Sequence, residues 1–159
     1  MQDSNPRKQS YEQNRAGGQR RDNFNQKQRG KSIQQELLEN NFKEEWIKNG
    51  TDSEMIKYAE DAGKFMADNK LTNSKIRSIY GEIKRIQMAE FEKERASFLL
   101  LRPKVAYALG RDDSNRGLQL FKSVFDKASI VVKDQKTFDN FCNLFEAILA
   151  YHKAHGGKD

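Results

Sequence analysis

Residues 71–86 read Leu71-Thr72-Asn73-Ser74-Lys75-Ile76-Arg77-Ser78-Ile79-Tyr80-Gly81-Glu82-Ile83-Lys84-Arg85-Ile86. Ile76, Ile79, Ile83 and Ile86 recur at steps of three and four, with Tyr80 at the edge of the stripe. That is the spacing of one face of an α-helix, whereas a half-buried strand alternates in twos. Thr72 or Ser74 suits the helix start, because a hydroxyl there accepts an otherwise unpaired backbone N–H. The stripe reaches toward Phe91, so one long helix is expected.

The same period holds on both sides. Ile33, Leu37, Leu38, Phe42, Trp46 and Ile47 predict an amphipathic helix, closed by Asn49-Gly50. Thr51, Asp52 or Ser53 then caps a helix carrying Ile56, Ala59, Gly63 and Met66, which ends near Asn69. Pro103 starts a new helix or kinks the old one, since it has no N–H to donate. Val105, Tyr107, Ala108 and Leu109 follow, and Gly110 closes. Ser114 or Asn115 caps a helix with Leu118, Leu120, Phe121, Val124, Phe125 and Ala128, which stops before Ile130-Val131-Val132 or runs through it. Phe138, Phe141, Cys142, Phe145, Ile148, Leu149 and Tyr151 mark the last helix, fraying at Gly156-Gly157. Proline occurs only at positions 6 and 103. The expected fold is all-α, a compact bundle of about five to six helices.

Residues 1–31 differ in kind. They are Asn, Gln, Arg, Lys, Gly and Ser, with Tyr11 and Phe24 as the only aromatics. Such a segment buries too little apolar area to offset its ordering entropy, so a disordered basic N-terminal tail is expected, followed by a helical bundle domain over 32–155. The net charge of +6 is distributed unevenly: +5 over residues 1–35, −5 over 36–69, +6 over 70–111 and zero beyond. No apolar run is long enough to cross a membrane, and the N-terminus lacks the apolar core of a secretory signal. The single cysteine excludes an internal disulfide and fits a reducing, cytoplasmic setting.

No catalytic or metal-binding residue and no cofactor is expected. His152 and His155 lie three apart, but two ligands are not a site, and imidazolium near a helix C-terminus complements the dipole. Cys142 falls on the apolar stripe between Phe138 and Phe145 and reads as a core residue. The pairs Asp112-Asp113 and Glu44-Glu45 point in different directions on a helix and read as caps or solvated charge.

The central basic region is the candidate site. On a helical wheel Arg77 and Lys84 fall side by side opposite the isoleucine stripe, with Arg85 further round and Ser74, Ser78 and Gly81 among them. Long cations reach phosphates, small residues admit a sugar–phosphate backbone, and hydroxyls donate. Glu82 is the only acid over residues 70–89, so little in the sequence neutralises the face. Arg102, Lys104 and Arg111 add cations around Pro103 and Tyr107; the plainer reading of the same run is a Pro-initiated helix whose Tyr packs inward.

Three stretches resemble one family. Leu71-Thr72-Asn73-Ser74-Lys75-Ile76-Arg77 is similar to its Leu-Thr-x-Ser-x-Ile-Arg helix start. Leu101-Arg102-Pro103-Lys104-Val105-Ala106-Tyr107-Ala108 with Gly110-Arg111 resembles its central Pro-Lys, Ala-Tyr, Gly-Arg run. Phe141 and the run Leu144-Phe145-Glu146-Ala147-Ile148-Leu149-Ala150-Tyr151-His152-Lys153 resemble its closing helix. Order and spacing agree over about residues 50–155 with the small helical subunit of the type III-A CRISPR effector, the Csm complex. The resemblance implies a non-enzymatic role in antiviral defence. Copies of the subunit would stack as an inner filament beside the backbone and large subunits, along the channel that holds guide RNA and target RNA. It further implies RNA-facing roles for Lys75, Arg77, Lys84, Arg85, Arg102, Lys104 and Arg111, although the wheel puts Lys75 on the flank away from Arg77. Two other readings stand beside it: the small subunit of the related type III-B effector, and a helix-turn-helix DNA-binding regulator using residues 54–86.

Overall fold

The computed structural model describes residues 31–158. The tail expected over 1–31 lies outside the described residues, Lys31 excepted. The chain divides after Ser32, and Ile33–Asp159 form the helical unit. Its described residues build α1 (Ile33–Asn41), α2 (Glu45–Lys48), α3 (Ser53–Asp68), α4 (Asn73–Gln87), α5 (Phe91–Leu99), α6 (Leu101–Gly110), α7 (Arg116–Val131) and α8 (Gln135–Ala154), with no strand among them.

The fold is all-α, in eight segments where five or six were expected. The extra segments come from cuts in two long periodic stretches. The first cut is at 42–44, where Phe42 sets its ring edge-on to Trp46 at 5.9 Å and to Tyr58 at 6.5 Å. The second follows Gln87. Phe91 begins a new helix, and its N–H donates to Gln135 Oε1 at 2.8 Å, so that α8 supplies the partner the broken ladder lacks. Both apolar stripes survive, because Phe91 and Trp46 stay buried on either side of a break. Pro103 sits in the first turn of α6, where a missing N–H leaves nothing unpaired.

The core is the crossing of α3 and α8, with α7 packed against α3. Two glycines permit it. A Cβ on Gly63 would stand 2.6 Å from the Ile148 carbonyl oxygen and 2.7 Å from the His152 nitrogen, so α3 and α8 meet backbone to backbone. A Cβ on Gly117 would stand 2.8 Å from the Met66 carbonyl oxygen, and the Gly117 N–H donates to the Asn69 carbonyl at 3.1 Å. Along α8 the rings of Phe138, Phe141 and Phe145 contact Phe91 and Phe98 of α5 and Phe121 and Phe125 of α7 at centroid distances of 5.0 to 5.5 Å. Full burial of each such ring contributes on the order of 2–3 kcal/mol. The ladder therefore carries much of the fold.

Helix starts separate the elements further. Asp52 accepts from the Met55 N–H at 2.7 Å, Asn115 from Leu118 at 2.9 Å, and Asp134 from Thr137 at 2.9 Å with the Thr137 hydroxyl reciprocating in a capping box. Thr72 before α4 makes no side-chain cap bond; its hydroxyl lies 2.9 Å from that of Ser74. The start of α4 is held from outside instead, by Asn115 Nδ2 donating to the Lys70 carbonyl at 2.9 Å and by the Asn73 N–H donating to the Lys158 carbonyl at 2.7 Å.

Candidate nucleic-acid interface

The isoleucines of α4 are buried as the spacing requires, which leaves the helix two flanks. One flank meets α8. Lys84 reaches Glu146 at 3.5 Å and lies 5.4 Å from the Tyr80 ring centroid. Partial burial acts against its charge, but Tyr80 and Glu146 outweigh that, and the ammonium pKa is raised. Arg85, between the flanks, pairs with Glu82 at 3.2 Å and with Glu94 of α5 at 3.1 Å. Two of the three cations drawn on the wheel are therefore paired with carboxylates of other helices, which a one-helix projection does not contain.

The other flank of α4 forms a groove with α6, of about 1170 Å³. Lys75, Ser78, Gly81 and Glu82 line it from α4, Pro103, Lys104 and Tyr107 from α6, and Arg111 and Asp112 from the turn after α6. Gly81 has nothing within 4 Å of where its Cβ would be, so the α4 wall is open. Lys75 pairs with Asp112 at 2.7 Å, and that bond, then one from Asn115, holds the Asp112 carboxyl below its ordinary value. Lys104 is exposed and makes no ion pair with the described residues. Arg111 lies 5.8 Å from the Tyr107 ring centroid, a cation over an aromatic face. Tyr107 is 67% exposed and lines the groove, against the plainer reading in which it packs inward.

The seven cations singled out in the sequence thus fall into groups. The groove gathers Lys75, Lys104 and Arg111. Lys84 and Arg85 belong to ion pairs with α8 and α5. Arg102 faces Asp126 of α7 at 3.9 Å, in a shallow depression with Leu99 and Ala106. Arg77 is exposed and has no ion-pair partner among the described residues, but it does not line the groove. Sequence reasoning missed Tyr107 as a surface residue. The available signal was Arg111 four residues on, the spacing that stacks two side chains on one helix face.

The residues weighed for catalysis are placed elsewhere. Cys142 is buried, and desolvation pushes its thiol up to about 12, so it is not a ready nucleophile. His152 is not at the solvated end of α8. It is fully buried, its Nε2 donating to the Leu71 carbonyl at 2.6 Å, while His155 is exposed. No group of three or more His, Cys, Asp or Glu among the described residues is arranged to hold a metal ion. No described helix is long and apolar enough to cross a membrane.

Fold and surface together define a small all-helical protein whose distinctive exposed feature is a groove rimmed by cations and a tyrosine. The Csm2 Type III-A family model matches residues 50–158, from the start of α3 through the end of α8. The chain is 31% identical over 123 residues to the CRISPR system Cms protein Csm2 of Streptococcus thermophilus, a match that covers 69% of this chain and 97% of that protein. No solved structure matches. The chain belongs to the Csm2 type III-A family, the small helical subunits of type III-A CRISPR effectors.

Proposed function

We propose that this chain is a non-catalytic, RNA-contacting subunit of a cytoplasmic type III-A CRISPR ribonucleoprotein. It stacks with copies of itself as an inner filament, beside backbone and large subunits, and holds the guide and target RNA by the sugar–phosphate backbone. The observation that carries the reading is the α4–α6 groove. Lys104 and Arg111 project there without a carboxylate partner among the described residues, Ser78 and Gly81 keep the opposite wall small, and Tyr107 offers a stacking face. Contacts of this kind fix register and leave sequence to guide pairing. Two or three phosphate contacts per copy bind weakly, so affinity belongs to the assembly, where stacked copies raise the effective concentration. The basic tail and the acidic span 36–69 supply complementary charge for assembly; reversing Glu44 and Glu45 to Lys is expected to weaken it.

The test is target-RNA retention by the assembled effector carrying Lys104→Ala and Arg111→Ala together, measured by filter binding across a salt series. The double variant is expected to release target RNA about tenfold faster and to lower the slope of log affinity against log salt by about 1 to 2. Unchanged retention and slope would remove the groove from the RNA path. Tight, sequence-specific binding of duplex DNA by the isolated chain would overturn the reading altogether.

A further inference from the structure

We infer that His152 is a positioning residue: its buried ring joins the turn after α8 to the first turn of α4 and so fixes one end of the groove. The inference rests, for its RNA consequence alone, on the function proposed above.

One hydrogen bond of the ring and two backbone bonds of the turn beside it tie the end of α8 to the start of α4. The ring's Nε2 lies 2.6 Å from the Leu71 carbonyl oxygen, which can only accept, so Nε2 carries the proton and donates. The Gly157 N–H donates back to the His152 carbonyl at 2.9 Å, folding the chain after α8 over the imidazole. The fit is close, since a Cβ on Gly157 would stand 2.3 Å from Cε1 and 2.4 Å from Nδ1. One residue on, the Lys158 carbonyl accepts from the Asn73 N–H at 2.7 Å, at the first residue of α4. The ring and the turn thus grip both sides of Thr72, the helix start that lacks its own side-chain cap.

The gripped segment also stores strain. Lys70 has φ of 69°, the left-handed region that a residue with a Cβ enters only at a cost. Such a conformation persists only when its surroundings over-determine it. Here Asn115 holds the Lys70 carbonyl, Gly117 holds that of Asn69, and His152 holds that of Leu71. The groove's Lys75–Asp112 pair begins three residues beyond Thr72. The start of α4 that carries Lys75 has no side-chain cap of its own, and the His152 ring is one of the groups that hold it. Deleting the Nε2 donor would leave a buried carbonyl unpaired, which shifts a local opening equilibrium by roughly tenfold or more.

Three variants test this in the full chain and in the assembled effector. His152→Gln keeps a donor near the Nε2 position, His152→Asn is too short to reach, and Gly157→Ala leaves the histidine but crowds it. Hydrogen exchange of amides 70–77 is expected to rise about tenfold or more in His152→Asn and Gly157→Ala, and to return toward the parent in His152→Gln. Amides of α3 and α7 should change much less. In the effector, target-RNA retention should fall with the exchange at 70–77 and recover with glutamine. Unchanged exchange at 70–77 in both disruptive variants overturns the inference. So does an equal rise over the whole chain, which would make His152 an ordinary core residue. A local rise with RNA retention unaltered would leave the grip standing and overturn the assignment of this end of the groove to RNA.

Discussion

The α3–α8 crossing and the α4–α6 groove are two helix pairs of opposite design. At the crossing Gly63 removes a side chain so that two backbones touch, and α8 packs its phenylalanine rings against α5 and α7. At the groove Gly81 removes a side chain and nothing moves in; the space stays open, lined by three cations and by the carboxylates of Glu82 and Asp112. The same residue type closes one interface and opens the other. What differs is its surroundings, a Phe-rich α8 in the first case and a pair of helices held apart at one end in the second. Stability and recognition are therefore separable, and substitutions should act on one without the other.

The largest effect is expected at the crossing. Gly63→Val should abolish cooperative melting or cost about 3 kcal/mol or more, because the obstacle is a backbone carbonyl that cannot rotate away. Phe141→Ala removes a ring that contacts four others and should cost about 4 kcal/mol in denaturant unfolding. Next comes the joint between the regions. Asn115→Ala deletes a helix cap and the bond to the Lys70 carbonyl at once, for about 2 kcal/mol. If Gly63→Val melts like the parent, the contrast drawn here is wrong.

The groove variants should melt normally. Lys104→Ala with Arg111→Ala is expected to stay within about 0.5 kcal/mol of the parent while RNA retention falls. Lys84→Ala with Arg85→Ala should lower RNA retention least, because Glu146, Glu82 and Glu94 already hold those cations. A larger RNA defect from the second pair than from the first would transfer the site to the other side of α4. Acid should act on stability in one direction. Glu94, Asp112 and Asp134 are held below their ordinary values, first by bonds from Arg85, Lys75 and the Thr137 backbone respectively. Their contribution is full above the ordinary carboxylate range and is lost as pH falls through the lowered values.

The bundle was legible because periodicity reports burial, and burial is what Ile76, Ile79, Ile83 and Ile86 do. The breaks at 42–44 and 88–90 were not legible. Phe42 and Phe91 continue the stripe, and the reason to stop lies in Gln135 and in the Trp46–Tyr58 pair, distant in sequence. The site was half legible for a related reason. Cation content named Lys104 and Arg111, and the structure puts both on one groove. The wheel then grouped Arg77, Lys84 and Arg85 on one face, but Glu146 and Glu94 from other helices pair with Lys84 and Arg85 and leave Arg77 alone of the three without an ion pair among the described residues. His152 shows the same limit. Its position near the end of α8 suggested a solvated cap, but the turn at Gly157 folds back over it.

Trp46 is the only tryptophan in the chain; it is 2% exposed and sits 4.9 Å from the Tyr58 ring. It lines no part of the groove. The protein therefore carries its own optical label, placed in the core and away from the proposed RNA path. Its emission should shift to the red when the bundle melts and stay still when RNA arrives, so a single cuvette distinguishes a variant that has lost its fold from one that has lost only its grip on RNA.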